Sequence, residues 1–123
     1  MLRGYEDITY ELTEDEMLLV APMVKGLSKR IGKEKAVRNI EIQKAMELNS
    51  ARVHKIINYI RINNLVYGLC SSACGYYVAE NIKDLEDCVI SLKQRIYSQM
   101  KTLHALEYQS VMFGGTGQLS IFE

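Results

Sequence analysis

Apolar residues in the middle of the chain recur with the period of an α-helix. Val53, Ile56, Ile57 and Ile60 follow the spacing i, i+3, i+4, i+7, which predicts a helix over Ser50–Asn64 with one buried stripe. The opposite side of this helix carries small, basic and amide side chains, namely Ala51, His54, Lys55 and Asn58, with Arg52 and Arg61 at the margins. A free face of that chemistry suits the major groove of DNA.

The first helix is predicted from a capping box. Thr13 is the expected N-cap and Glu16 the residue that completes the box, and an apolar face continues from there to Ile31. Pro22 lies inside this pattern and predicts a kink or a break, because proline cannot donate a backbone hydrogen bond. Gly32 is the expected residue just after the helix.

Short elements surround the central helix. Residues 36–38 suit a first short strand, and Asn39 is the expected N-cap of a second helix. Asn49, in the turn between the two helices, tolerates a left-handed conformation. Residues 65–70 and 76–79 read as paired strands joined by a loop of hairpin length.

Residues 84–108 predict a long helix with a heptad repeat. Its a positions include Val89, Ile96 and Leu103, its d positions include Leu85, Leu92 and Leu106, and Gln99 is the polar interruption. This helix either closes the core or forms the seam of a homodimer. The pattern changes after residue 108, and Gly114–Gly117 predicts a hinge. The expected division is therefore a domain of residues 1–108 and a flexible tail of residues 109–123.

Composition places the chain among globular proteins. It has 123 residues, 48% of them hydrophobic and 24% charged. No apolar run has membrane-spanning length and the first residues lack the core of a signal peptide, so we expect a cytoplasmic protein without membrane contact. The three cysteines are expected to be reduced thiols.

The formal net charge is zero, but its distribution is uneven. Residues 17–79 carry +7, the first sixteen residues carry −5, and residues 80–123 carry −2. A local field of this sign can attract phosphates although the whole molecule is neutral.

Residues 36–79 resemble the winged-helix DNA-binding fold, and with the long helix they look like small winged-helix proteins of bacteriophages and prophages. The residues that carry the resemblance are the basic helix Ala51–Arg61 and the strand ending Gly75–Ala79. The expected fold class is α+β, mainly α: a winged helix-turn-helix with a long C-terminal helix and a flexible tail. The cell would be bacterial and the gene of phage type.

Binding of double-stranded DNA would use basic, small polar and aromatic side chains on the two central helices and the hairpin tip. The predicted contacts are Arg38, Lys44, Ser50, Ala51, Arg52, His54, Lys55, Asn58, Tyr59, Arg61, Ser71 and Ser72.

The last residues form a second motif, Gln118, Leu119, Ser120, Ile121 and Phe122. This segment resembles the bacterial sliding-clamp-binding peptide. That peptide has Gln, then Leu, then either Ser or Asp, then Leu and finally Phe, and here Ile121 replaces the second Leu. Three apolar side chains would enter the pocket of the clamp and the Gln118 amide would bind at its entrance. Packing of this segment on the protein's own surface is the alternative.

No catalytic, metal or cofactor site is predicted. Cys70 and Cys74 lack the further ligands of a zinc site, His104 has no acid or nucleophile at fixed spacing, and the Gly114–Gly117 stretch lacks the lysine of a phosphate loop.

Three hypotheses remain at this stage, and all describe a non-enzyme. The first is a DNA-binding protein associated with DNA replication through the sliding clamp. The second is a dimeric transcriptional regulator of phage or mobile-element origin, and the third is a replication inhibitor that contacts proteins alone.

Overall fold

The computed structural model describes residues 11–116, which are mainly helical with one small sheet. The elements in chain order are α1 (Glu14–Leu27), a 3₁₀ helix (Lys33–Lys35), α2 (Asn39–Met46), α3 (Ser50–Ile62), β1 (Leu69–Ser72), β2 (Gly75–Val78) and α4 (Ile82–Thr116). The mainly α, α+β class is confirmed. The chain divides between Leu85 and Glu86 into two compact units.

The first unit is built around α3. Val53, Ile56, Ile57 and Ile60 are at most 1% exposed, so the predicted stripe is the centre of the core. Buried residues of α1 and α2, with Val37, Leu69 and Tyr76, complete the same cluster. The four residues of the stripe bury one side of α3. The residues between them lie on the opposite side of the helix, which the core does not cover.

Helix α1 begins as predicted and continues through its proline. The capping box is present, with the Glu16 side chain accepting from the Thr13 amide and the Thr13 hydroxyl accepting from the Glu16 amide. The predicted break at Pro22 is wrong. Pro22 is exposed, and Met23 and Leu27 anchor the following turn in the core. The helix ends at Leu27 with Ser28 as its C-cap, so Gly32 is not the residue just after it.

The connection from α2 to α3 differs in detail from the prediction. Arg38 occupies the N-cap of α2 without a side-chain cap, so Asn39 is the first helical residue instead of the cap. Glu47, not Asn49, has the left-handed conformation, with φ of 56°. The Asn49 side chain caps α3 by accepting from the Arg52 amide at 2.9 Å.

The two strands form an antiparallel hairpin in which Leu69 pairs with Val78 and Ser72 with Gly75. Residues 65–68 were predicted as strand but form turns, so β1 begins at Leu69. Instead of a full strand, the 36–38 segment forms a single antiparallel bridge between Val37 and Tyr76, with reciprocal backbone hydrogen bonds of 2.9 and 2.8 Å.

Helix α4 continues past its predicted end at residue 108 and reaches Thr116. Residues 109–113 contain no helix breaker, and the helix continues through Gly114 and Gly115, so the predicted hinge at Gly114–Gly117 begins inside α4. The predicted boundary between residues 108 and 109 therefore falls inside this helix. The rest of the predicted tail, residues 117–123, lies outside the described residues.

Gly75 is the position where a side chain is least tolerable. Its φ is +119°, and an added Cβ would lie 2.3 Å from the Val37 carbonyl oxygen. We expect Gly75→Ala to lower the free energy of unfolding by roughly 2–4 kcal/mol, measured by urea denaturation.

The matched control for this substitution is Gly26→Ala. Gly26 is helical and an added Cβ would meet nothing within 4 Å. Alanine should therefore raise the free energy of unfolding by about 0.5–1 kcal/mol. Equal effects of the two substitutions would show that the hairpin does not pack closely on residue 37.

Candidate nucleic-acid interface

The free face of α3 carries the side chains that periodicity predicted. Ser50, Ala51, His54 and Asn58 are exposed, while Tyr59 is half-buried and packs against the core. These positions follow from the buried stripe, because residues between the stripe positions point to the opposite side of a helix. The face is small and polar, with two side chains that can donate or accept hydrogen bonds.

An open cleft of about 600 Å³ lies beside this face. It is formed by the first turn of α2, by His54 of α3 and by the hairpin. Its polar lining includes Arg38, Asn39, His54, Ser71, Ser72 and Tyr76. Of the predicted DNA contacts, the fold thus brings Arg38, His54 and both hairpin serines to one place.

His54 is held in the cleft from two sides. Its Nδ1 lies 3.0 Å from the Tyr76 hydroxyl and its Nε2 lies 3.4 Å from the Asn39 side-chain nitrogen. The Asn39 oxygen accepts from the Gln43 amide, so its nitrogen faces the imidazole. In the neutral tautomer with the proton on Nδ1, Nε2 accepts from the Asn39 amide and Nδ1 donates to the Tyr76 hydroxyl. The imidazole is therefore oriented by the protein itself.

Two predicted phosphate contacts of α3 share a buried carboxylate of α1. Arg52 Nε and Lys55 Nζ each lie 2.9 Å from a Glu16 carboxylate oxygen. Glu16 is only 1% exposed. The hydrogen bond from Lys55, the backbone amide of Thr13 and the hydrogen bond from Arg52 lower its pKa from 4.5 to about 2, against the opposing effect of burial. The net charge of Glu16, Arg52 and Lys55 together is +1, whereas the two cations of α3 alone would give +2.

Arg61 is half-buried at the margin of α3 and contacts the hairpin. Its Nε donates to the Leu69 carbonyl oxygen at 2.9 Å, and its guanidinium carbon lies 5.9 Å from the centroid of the Tyr76 ring. Its Nη2 is buried without a hydrogen-bond partner. These contacts join α3 to the hairpin.

The remaining predicted residues lie as follows. Lys44 is exposed on α2, and Ser71 and Ser72 are half-buried in the hairpin. The Ser72 hydroxyl accepts from the Cys74 amide at 3.1 Å, so it also stabilises the turn. The clamp-like peptide, Gln118 to Phe122, lies outside the described residues.

Sequence reasoning missed three residues of this region. Glu16 was assigned only to the capping box, and Asn39 and Tyr76 were not named as site residues. An acid that faces two basic residues across the core leaves no local signal, because its partners lie more than thirty residues away. The alternation of the second strand could have suggested that Tyr76 faces the helices, but not that it meets His54.

Within residues 11–116, no group of three or more His, Cys, Asp or Glu side chains is arranged to hold a metal ion. The helices found over the same range include none that is long and apolar enough to span a membrane. Comparison with family models, with curated proteins and with solved structures yields no match to this chain.

The Glu16 cluster gives a pH-dependent prediction. At pH 7 we expect Glu16→Gln to lower the free energy of unfolding by roughly 1–3 kcal/mol, because two charge-assisted hydrogen bonds are weakened. The folded pKa lies below the unfolded one, so this contribution is complete above pH 4.5 and disappears as the pH falls toward about 2. The difference between the two proteins should therefore shrink over that window.

Urea denaturation at several pH values measures this difference. Glu14→Gln is the control, because it removes an exposed carboxylate from the same helical turn. It should change stability by less than about 1 kcal/mol. A Glu16→Gln effect that stays constant from pH 7 to pH 2 would rule out the ionised pair as its source.

Proposed function

We propose that this chain is a small winged-helix DNA-binding protein associated with replication, which docks on the bacterial sliding clamp through its C-terminal peptide. The observation that carries the DNA-binding part is the exposed polar face of α3 beside the cleft that contains Arg38 and His54. Helices α2 and α3 then form the helix-turn-helix, and the β1–β2 hairpin is the wing.

The recognition helix is α3 in this proposal. A major groove about 12 Å wide admits one α-helix, and its base edges are read by side chains that donate or accept hydrogen bonds. Asn58 and His54 have that capacity, while Ser50 and Ala51 are small enough to let the helix approach the bases. The buried stripe fixes the rotation of α3 and thereby presents these four together.

Phosphate contacts would come from the elements around α3. Arg38 and Lys44 are exposed cations, and Arg38 lines the cleft. No side chain caps α2, so amides of its first turn are available beside Arg38 to bind a phosphate oxygen. Arg52 and Lys55 remain 39% and 26% exposed, and Glu16 reduces their contribution to the field. Arg61 supports the wing instead of contacting phosphate.

Arg38 is the most direct test of the DNA interface. We expect Arg38→Ala to weaken binding to a mixed-sequence DNA duplex and to reduce the slope of log affinity against log salt by about 0.9. Fluorescence anisotropy between about 50 and 200 mM salt measures both quantities.

Lys101→Ala is the control for this measurement, because it removes an exposed positive charge from the second unit of the chain and none from the residues that line the cleft. It should leave affinity and slope nearly unchanged. Identical behaviour of the two variants would exclude the cleft as the interface. Absent or salt-insensitive binding by the wild type would favour the hypothesis of a module that contacts proteins alone.

The clamp contact is proposed from the sequence of residues 118–122. Leu119, Ile121 and Phe122 would each bury apolar area worth ~1.5–3 kcal/mol, from which the ordering of the segment is subtracted. This balance predicts micromolar affinity. A DNA-binding module and a clamp peptide on one chain raise each other's effective concentration, so both contacts can be modest individually.

The clamp contact is tested by titrating the purified bacterial clamp with three proteins. We expect binding by the wild type, loss of binding by a Gln118→Ala, Phe122→Ala double variant, and retained binding by Ser120→Asp, because the resembled pattern accepts either residue at that position. Calorimetry gives the three affinities. Equal affinity of the wild type and the double variant would exclude docking through this peptide and would leave the DNA-binding proposal standing.

A further inference from the structure

The second unit, residues 86–116, exposes one long apolar seam on α4. The heptad repeat places Val89, Ile96 and Leu103 at a and Leu92, Leu106 and Phe113 at d, with the polar Gln99 and Ser110 at the two remaining seam positions. Apart from the half-buried Leu103, these side chains are between 42 and 57% exposed. The seam from Val89 to Phe113 spans more than three heptads, which is the length at which such a pattern indicates a coiled coil.

We propose that this seam pairs with the same seam of a second copy in antiparallel orientation, with Lys93 of each chain beside Glu107 of the other. The proposal does not depend on DNA or clamp binding. A second copy is the occupant because Lys93 and Glu107, both at e, are complementary to each other in this arrangement, while Arg95 at g lies opposite Gln109.

Among the charges that flank the seam, Lys93 and Glu107 have no oppositely charged Lys, Arg, Asp or Glu three or four residues away on their own helix. The residues three and four positions before and after Lys93 are all apolar. Glu107 has no Lys or Arg at the same spacings. Both side chains are exposed, and both occupy e positions of the heptad. A charge at e is placed to interact across a helix pair, since e and g positions border the apolar seam.

Orientation follows from these positions. In a parallel pair, e of one helix faces g of the other, which would place Lys93 beside Cys88 and Glu107 beside Thr102 without any ion pair. In an antiparallel pair, e faces e. Two symmetric Lys93–Glu107 pairs then form, with Met100 facing its own copy between them.

The same charges select the register. With Lys93 beside Glu107, every layer falls within residues 89–113: Val89 lies opposite Phe113, Leu92 opposite Ser110, Ile96 opposite Leu106 and Gln99 opposite Leu103. Shifting one helix by one heptad toward its N-terminus places Glu86 beside Glu107. This register also needs Leu85 as a seam residue, and Leu85 is already half-buried. The larger shift in that direction places Lys93 beside its own copy. Like charges at these distances are unfavourable.

Charge exchange tests this arrangement in the full chain. Lys93→Glu and Glu107→Lys should each weaken the dimer by roughly tenfold to a hundredfold, since each places like charges at two symmetric positions. The Lys93→Glu, Glu107→Lys double variant should restore the wild-type dissociation constant to within a few-fold. Sedimentation equilibrium at several protein concentrations measures all four proteins.

Lys101→Glu is the matched control, because Lys101 is exposed at an f position, away from the seam. It should leave the dissociation constant unchanged. A monomeric wild type would overturn the proposal, as would a double variant no tighter than either single one. A chain that dimerises only after truncation at Gly117 would also overturn it, by showing that its own terminal segment occupies the seam.

Discussion

The burial of one side of α3 is the constraint on which the first unit depends. Val53, Ile56, Ile57 and Ile60 belong to the same core cluster as the buried residues of α1, α2 and the hairpin, and are almost completely removed from water. Each such side chain contributes about 1.5–3 kcal/mol, and a whole domain has a net stability of about 5–15 kcal/mol. The rotation of α3 is therefore fixed by packing. The side chains on its opposite face are the ones that remain available to a ligand.

The charge that this unit presents at its surface depends on buried groups as much as on exposed ones. Glu16 is buried, yet it stays ionised because two cations and a backbone amide surround it. It joins α1 to α3 and at the same time limits how much of the positive charge on α3 faces outward. Arg61 has the corresponding role at the other end of α3, where it binds the β1 backbone. A count of charges along the sequence assigns Arg52, Lys55 and Arg61 to the positive surface of residues 17–79. In the structure these three side chains also stabilise the fold. The cations with the clearest access to a ligand are Arg38 and Lys44.

The second unit has a different requirement. A helix of 35 residues is about 52 Å long, and its apolar positions form a stripe that only Gln99 and Ser110 interrupt between residues 89 and 113. Helical stability in proteins comes mainly from packing of such a stripe against another surface. The two proposals of DNA binding and antiparallel pairing therefore concern separate parts of the chain, and the failure of one leaves the other intact.

The sequence alone determined the features that are local in the chain. The stripe of α3, the capping box of α1, the existence of the hairpin and the heptads of α4 all follow from spacing or from side-chain chemistry within a few residues. The tertiary structure decided the features that depend on distant partners. Pro22 is accommodated because neighbouring turns are anchored in the core, Arg61 is drawn inward by a carbonyl of β1, and His54 is oriented by side chains of α2 and β2. The pairing of Glu16 with Arg52 and Lys55 crosses more than thirty residues of sequence. No periodicity encodes such a contact, because it exists only once the helices have packed.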